Sequence, residues 1–182
     1  MKKGTLIIAV VAVAFVASSA FAQGVVGTKH DLSTNVNPTT GTSQQVCVFC
    51  HTPHGSNQTS PMDSAPLWNR TNTATASYGV YSSVTMNGNP TAITNSSFSV
   101  TLLCMSCHDG SIALESMINS PNGATVTAIG AITGTANLGT DLSSEHPVNF
   151  NYALAQAEDD ELIASPPAGY LAADGSVQCL SC

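Results

Sequence analysis

Cysteine and histidine carry the chemistry of this chain, and their spacing is its most specific feature. Cys47-Val48-Phe49-Cys50-His51 recurs as Cys104-Met105-Ser106-Cys107-His108, and Cys179-Leu180-Ser181-Cys182 repeats the front half of the pattern. All six cysteines of the 182 residues lie in these pairs. Two thiols separated by two residues can each add across one vinyl group of a single porphyrin, and the imidazole that follows can reach its iron. The spacing therefore predicts covalently attached haem c. Two sites are complete, at Cys47, Cys50, His51 and at Cys104, Cys107, His108; Cys179 and Cys182 form a third half-motif. That last pair lacks its histidine and reads as an interrupted motif. Without haem its thiols would form a disulfide or stay reactive.

Other uses of paired cysteines fit less well. A thioredoxin-type CxxC belongs at a strand-to-helix turn in a βαβ setting, and no such pattern surrounds these pairs. A zinc tetrahedron from Cys47, Cys50, Cys104 and Cys107 would leave both following histidines without a role. A disulfide- or zinc-stabilised surface module without haem is the remaining alternative of this kind.

Three histidines stand outside the motifs: His30, His54 and His146. An electron-carrying haem fills both axial positions of its iron, whereas a substrate-binding haem keeps one open. Three spare imidazoles suffice to cap both complete haems, which favours bis-histidine irons over an open catalytic site. His54 lies three residues after His51 and cannot cross the same macrocycle, so as a ligand it must serve another haem. Met62, Met86, Met105 and Met117 are weaker candidates for axial ligation. The alternative function is a multihaem reductase with one open iron, acting for example on a nitrogen oxyanion. It would need cationic or proton-donating groups beside that iron, and this chain is poor in them.

The elements that must position these groups are sparse. Residues 1–22 read as a secretory signal peptide, with Lys2 and Lys3 before the apolar run Leu6–Val16 and Ala20-Phe21-Ala22 before Gln23. Residues 23–182 then form one multihaem cytochrome c domain, secreted to the cell surface or beyond, otherwise to the periplasm, with no membrane insertion. Only Lys29 and Arg70 remain basic in it against eleven acidic residues, a net charge of −9. Nucleic acid is excluded as a partner, because nothing basic faces phosphate. Ser, Thr, Asn, Gly and Ala dominate, and Trp68 is the only tryptophan. Such a composition buries too little apolar surface to offset chain entropy unaided, so porphyrins are expected to supply the core.

The expected fold is mostly irregular, a haem-organised chain with few short helices and short β pieces. Residues 23–46 read as extended or irregular. Residues 78–103 hold β-prone pieces around Tyr78, Tyr81 and Phe98, broken by Asn87-Gly88-Asn89-Pro90. A short helix is expected within Cys104–Met117, a ribbon or loop over 124–138, and a short acidic helix over 151–163 before Pro166-Pro167. Pro147 disfavours a helical His146.

Cys50-His51-Thr52-Pro53-His54-Gly55, Pro66-Leu67-Trp68-Asn69-Arg70, Cys107-His108-Asp109-Gly110 and Glu145-His146-Pro147-Val148 resemble segments of the outer-surface multihaem cytochromes of metal-reducing bacteria. The likeness is greatest to tetrahaem members that polymerise into conductive extracellular filaments, and it covers nearly the whole chain after the leader. It implies an electron-transfer protein rather than an enzyme, with four stacked bis-histidine haems in the full-length family. Its partners would be other redox proteins or extracellular electron acceptors. The resemblance also implies self-association, His54 being donated to a haem of the adjacent subunit, with His30 and His146 capping haems within the subunit. A tetrahaem member needs a histidine after Cys182 and one further CxxCH, so the sequence reads as truncated at its third motif.

Overall fold

The computed structural model describes residues 24–35, 45–120 and 128–182, so the expected leader lies outside the described residues. The chain divides between Leu32 and Ser33 into two units. In the first, residues 25–30 form successive turns. The Asp31 carboxylate closes them by accepting the Gly27 N–H at 2.8 Å.

The second unit is mostly irregular, as its composition requires. Its described residues contain two α-helices, α1 (Val100–His108) and α2 (Tyr152–Glu158), with short strands and single 3-10 turns. Strand β1 (Ser77–Val80) is central in a three-stranded sheet. It pairs antiparallel with β2 (Ile93–Thr94), setting Tyr78 opposite Ile93, and parallel with β3 (Asp141–Leu142), setting Val80 opposite Leu142. A separate ribbon joins β4 (Phe150–Asn151) to β5 (Ser176–Val177), with Phe150 opposite Val177. The expected break over Asn87–Pro90 lies between β1 and β2, where Gly88 and Asn89 both take positive φ. Tyr81 and Phe98 fall outside the strands.

Two helix expectations need correction. The first helix begins four residues before Cys104 and stops at His108, so the second motif occupies its C-terminal half. Ser99 caps its start, its Oγ accepting the Thr101 N–H at 3.2 Å. Gly110 ends the segment at φ +70°, and a Cβ there would fall onto the Asn137 side chain. The acidic helix starts under an Asn151 cap, as its side chain accepts the Leu154 N–H, but ends at Glu158. Continuing it would place Asp159, Asp160 and Glu161 at the negative end of the helix dipole. Of the ribbon or loop expected over 124–138, residues 124–127 lie outside the described residues and the remainder contains one 3-10 turn, Gly134–Ala136.

The buried apolar cluster is small: Met62, Ala65, Trp68, Tyr78, Ile93, Leu102, Met105 and Leu142. Met62 and Met105 are wholly enclosed in it. Large apolar side chains remain exposed elsewhere, Ile163 at 66%, Tyr170 at 53% and Leu180 at 71%. A chain with so limited a core, and apolar groups left at its surface, has room for a further apolar component.

Candidate functional site

The first motif sits on a 3-10 turn, Val46–Phe49, followed directly by Cys50 and His51. It is held by the segment Pro66–Arg70, which runs antiparallel beside it through a bridge between His51 and Trp68. Each residue of that segment has a separate task. The Pro66 carbonyl accepts from His51 Nδ1 at 3.1 Å. The Leu67 carbonyl accepts the Thr52 N–H at 2.9 Å. Trp68 meets the His51 ring edge-on, with centroids 5.9 Å apart and planes at 82°. Asn69 is fully buried. Its Nδ2 donates to the Val48 carbonyl inside the motif at 2.7 Å and to the Asn119 carbonyl at 2.9 Å, while Oδ1 accepts the Asn119 N–H.

Arg70 reaches in the opposite direction, to the second motif. Its Nη2 donates to the Ser106 carbonyl, between Cys104 and Cys107, at 3.3 Å and to Ala113 at 2.9 Å. Nη1 donates to Leu114 at 2.8 Å. Two consecutive side chains therefore fasten the two motifs together. The thiols report the same closeness. Burial pushes Cys50 up and Cys107 adds to that push; burial also raises Cys107, and the Arg70 guanidinium opposes both shifts.

The third cysteine pair is fastened to the second motif by Gln178, which is buried immediately before Cys179. Its Oε1 accepts from Ser99 Oγ at 2.6 Å, from Thr101 Oγ1 at 2.8 Å and from the Thr101 N–H at 3.2 Å, all at the start of α1. Cys179 N–H in turn donates to Thr101 Oγ1 at 3.2 Å. Helix α1 packs against the 3-10 turn Cys179–Ser181, which brings the Cys104 and Cys179 thiols within electrostatic reach of each other. That contact, with burial, pushes Cys104 far above the ordinary thiol range, and it holds Cys179 below it. The three pairs are thus consecutive in space, Cys50 near Cys107 and Cys104 against Cys179, and all six thiols are free of disulfides.

Asp109, directly after His108, anchors the second motif from the other side. It accepts from Thr73 Oγ1 at 2.6 Å, Tyr78 OH at 2.7 Å and Ser111 Oγ at 2.7 Å. Burial pushes the carboxyl up, but these hydrogen bonds outweigh it and leave Asp109 below its ordinary value. Burial, reinforced by the bond to Asp109, carries Tyr78 up to about 12. The pair stays as carboxylate and phenol throughout the neutral range.

Three of the five histidines are oriented in one way. His51, His108 and His146 each place Nδ1 on a backbone carbonyl, those of Pro66 (3.1 Å), Ala136 (2.8 Å) and Pro147 (3.0 Å). A carbonyl only accepts, so each neutral ring carries its proton on Nδ1 and its lone pair on Nε2. A hydrogen bond on one ring nitrogen that fixes the other for a metal is the usual arrangement of ligating histidines. His54 is exposed, with its backbone carbonyl held by Thr52 Oγ1 at 2.8 Å and Asn119 Nδ2 at 3.1 Å. His30 lies in the first unit, exposed, its N–H on Thr28 Oγ1 at 3.2 Å.

His146 shares a cavity of about 380 Å³ with Cys179 and Cys182, walled by Leu138, Leu142 and Val148. A second cavity of about 470 Å³ reaches Cys182 from another side, lined by apolar groups that include Phe150, Ile163, Pro167, Tyr170 and Val177. Among the described residues, no three of His, Cys, Asp and Glu converge on one metal position, so the zinc tetrahedron is not assembled. Haem c asks for a different donor set: thiols bonded to the porphyrin edge, and imidazoles alone approaching iron. Paired free thiols, an Nδ1-fixed imidazole after each complete pair and apolar cavities beside the third meet that requirement.

Among the described residues, no helix is long and apolar enough to cross a membrane. No family model matches this chain, and no curated protein matches it.

Asn69 and Arg70 stand in the Pro66–Arg70 segment that the resemblance singles out, but their roles are not readable there; Arg70 is also one of two basic residues after position 22. Gln178 carries no signal in the sequence.

Proposed function

We propose that this protein is a secreted multihaem c-type cytochrome that conducts electrons along closely spaced haems. The observation that carries this reading is the linkage of the three cysteine pairs, the first fastened to the second by Asn69 and Arg70 and the second to the third by Gln178. Bound haem would supply a one-electron iron couple, and the chain's part is to fix position and electrostatics around it. Cys47, Cys50, Cys104 and Cys107 would hold two porphyrins, and Cys179 and Cys182 a third. His51 and His108 would be the ligands on the motif side, with rings aimed through Nδ1 by Pro66 and Ala136.

His146 would serve the third pair, since it shares their cavity with Nε2 as the lone-pair nitrogen. His30 remains a distal-ligand candidate. His54 suits donation to a neighbouring molecule: its backbone is clamped by Asn119 while its ring stays exposed, and Gly55 beside it takes φ +65° against that same asparagine. Self-association into a filament and electron delivery to extracellular acceptors or other redox proteins follow from this reading, as does a bis-histidine, non-enzymatic role.

Intact-mass spectrometry of the exported chain tests the attachment. One haem increment for each complete motif is expected, at least two in all. A mass equal to the bare polypeptide overturns the reading.

A further inference from the structure

Arg70 is wholly buried, at 0% exposure, and a guanidinium cannot shed its proton in a protein. Buried charges are ordinarily paired with an opposite charge. Here three backbone carbonyls receive the guanidinium, and its Nε is buried without a partner. Among the described residues no carboxylate forms an ion pair with it. Glu115 faces it at longer range and spends its own carboxylate on the Gly130 N–H at 3.0 Å. The full positive charge therefore persists at the junction of the first two motifs. It donates to the carbonyl between Cys104 and Cys107, and the neighbouring Asn69 N–H donates to the Cys50 carbonyl at 2.9 Å.

If carbonyls alone had to be satisfied there, a neutral donor would serve without the desolvation cost of a buried cation. What the charge adds is a field. Oxidised haem iron carries one more positive charge than reduced iron, and a buried cation is weakly screened. We propose that Arg70 raises the reduction potentials of the haems on Cys47/Cys50 and Cys104/Cys107. This rests on the haem reading above. The haem beyond, at Cys179 and Cys182, is joined through Gln178 instead and should feel the charge least.

Redox titration of the haem-loaded chain, followed by visible absorption, tests the assignment with two variants. Arg70→Gln removes the charge. It is expected to lower two midpoint potentials by about 59 mV each, a tenfold change in the reduced-to-oxidised ratio at fixed ambient potential. Arg70→Lys keeps the charge but cannot reach three carbonyls. It should melt lower, as Arg70→Gln does, yet hold both potentials within about half that shift. Unchanged potentials in Arg70→Gln, or equal shifts in both variants, would reduce Arg70 to a structural bolt. Should neither variant accumulate with haem, Glu115→Gln leaves Arg70 in place and removes a facing negative charge. The same two potentials must then rise, and no movement overturns the proposal. A chain that carries no haem at all is a separate result, since it removes the cytochrome reading itself.

Discussion

Replacing Cys104 and Cys107 together by alanine is expected to remove one whole haem from the mature protein, read as the loss of one haem increment in intact mass. The effect should be all-or-none, because a porphyrin bound there would depend on two thioether bonds that only these thiols can form. Thermal stability should fall, since part of the expected core leaves with the porphyrin, but the local hydrogen bonds should persist. Helix α1 keeps its caps at Ser99 and Gln178, and the Asp109 bonds to Thr73 and Tyr78 do not involve sulfur. On the proposed reading the consequence for conduction exceeds the loss of a single haem, because the second motif is fastened both to the first, through Arg70, and to the third cysteine pair, through Gln178. Stopped-flow reduction of the variant should show the remaining haems filling independently. An unchanged mass would mean that the pair does not hold a porphyrin.

Asn69→Ala is expected to produce the largest loss of stability among single substitutions outside the motifs. The side chain is fully buried and makes three hydrogen bonds, to the Val48 carbonyl, the Asn119 carbonyl and the Asn119 N–H. Truncation leaves those backbone groups unpaired, at about 1–3 kcal/mol each. Partial relaxation and water entry at the Asn119 side bring the expected total to about 3 kcal/mol. For a chain of this size that lowers Tm by about 6–12 °C. Thermal unfolding of the haem-loaded protein measures it, and a loss below about 1 kcal/mol would show that the motif does not depend on this bolt. The same variant should loosen His51, because the Pro66 carbonyl that orients its ring lies in the turn that leads into Asn69.

How far the sequence reveals this arrangement depends on the range of the interactions. The two CxxCH units are legible because each lies within five consecutive residues. The irregular fold is legible from composition, since a chain so rich in Ser, Thr, Asn and Gly cannot sustain long elements. The start of helix α1 is only partly local: Ser99 is an N-cap residue that a sequence offers, but the cap is completed by Gln178, 79 residues away. Asn69 and Arg70 share this difficulty, for their partners lie 21 to 50 residues away. Their role emerges only when both motifs are seen on either side of one extended segment. The pairing of His146 with Cys179 and Cys182 is of the same kind, a cavity shared by residues over thirty positions apart.

The central claim is that the irons are closed on both sides by imidazole nitrogens and exist to pass electrons. The visible spectrum of the reduced, exported protein, recorded before and after addition of cyanide or nitrite, tests it most directly. Low-spin haem c bands that neither ligand displaces are the expected result. A colourless protein, or a high-spin iron that takes up either ligand, would contradict it.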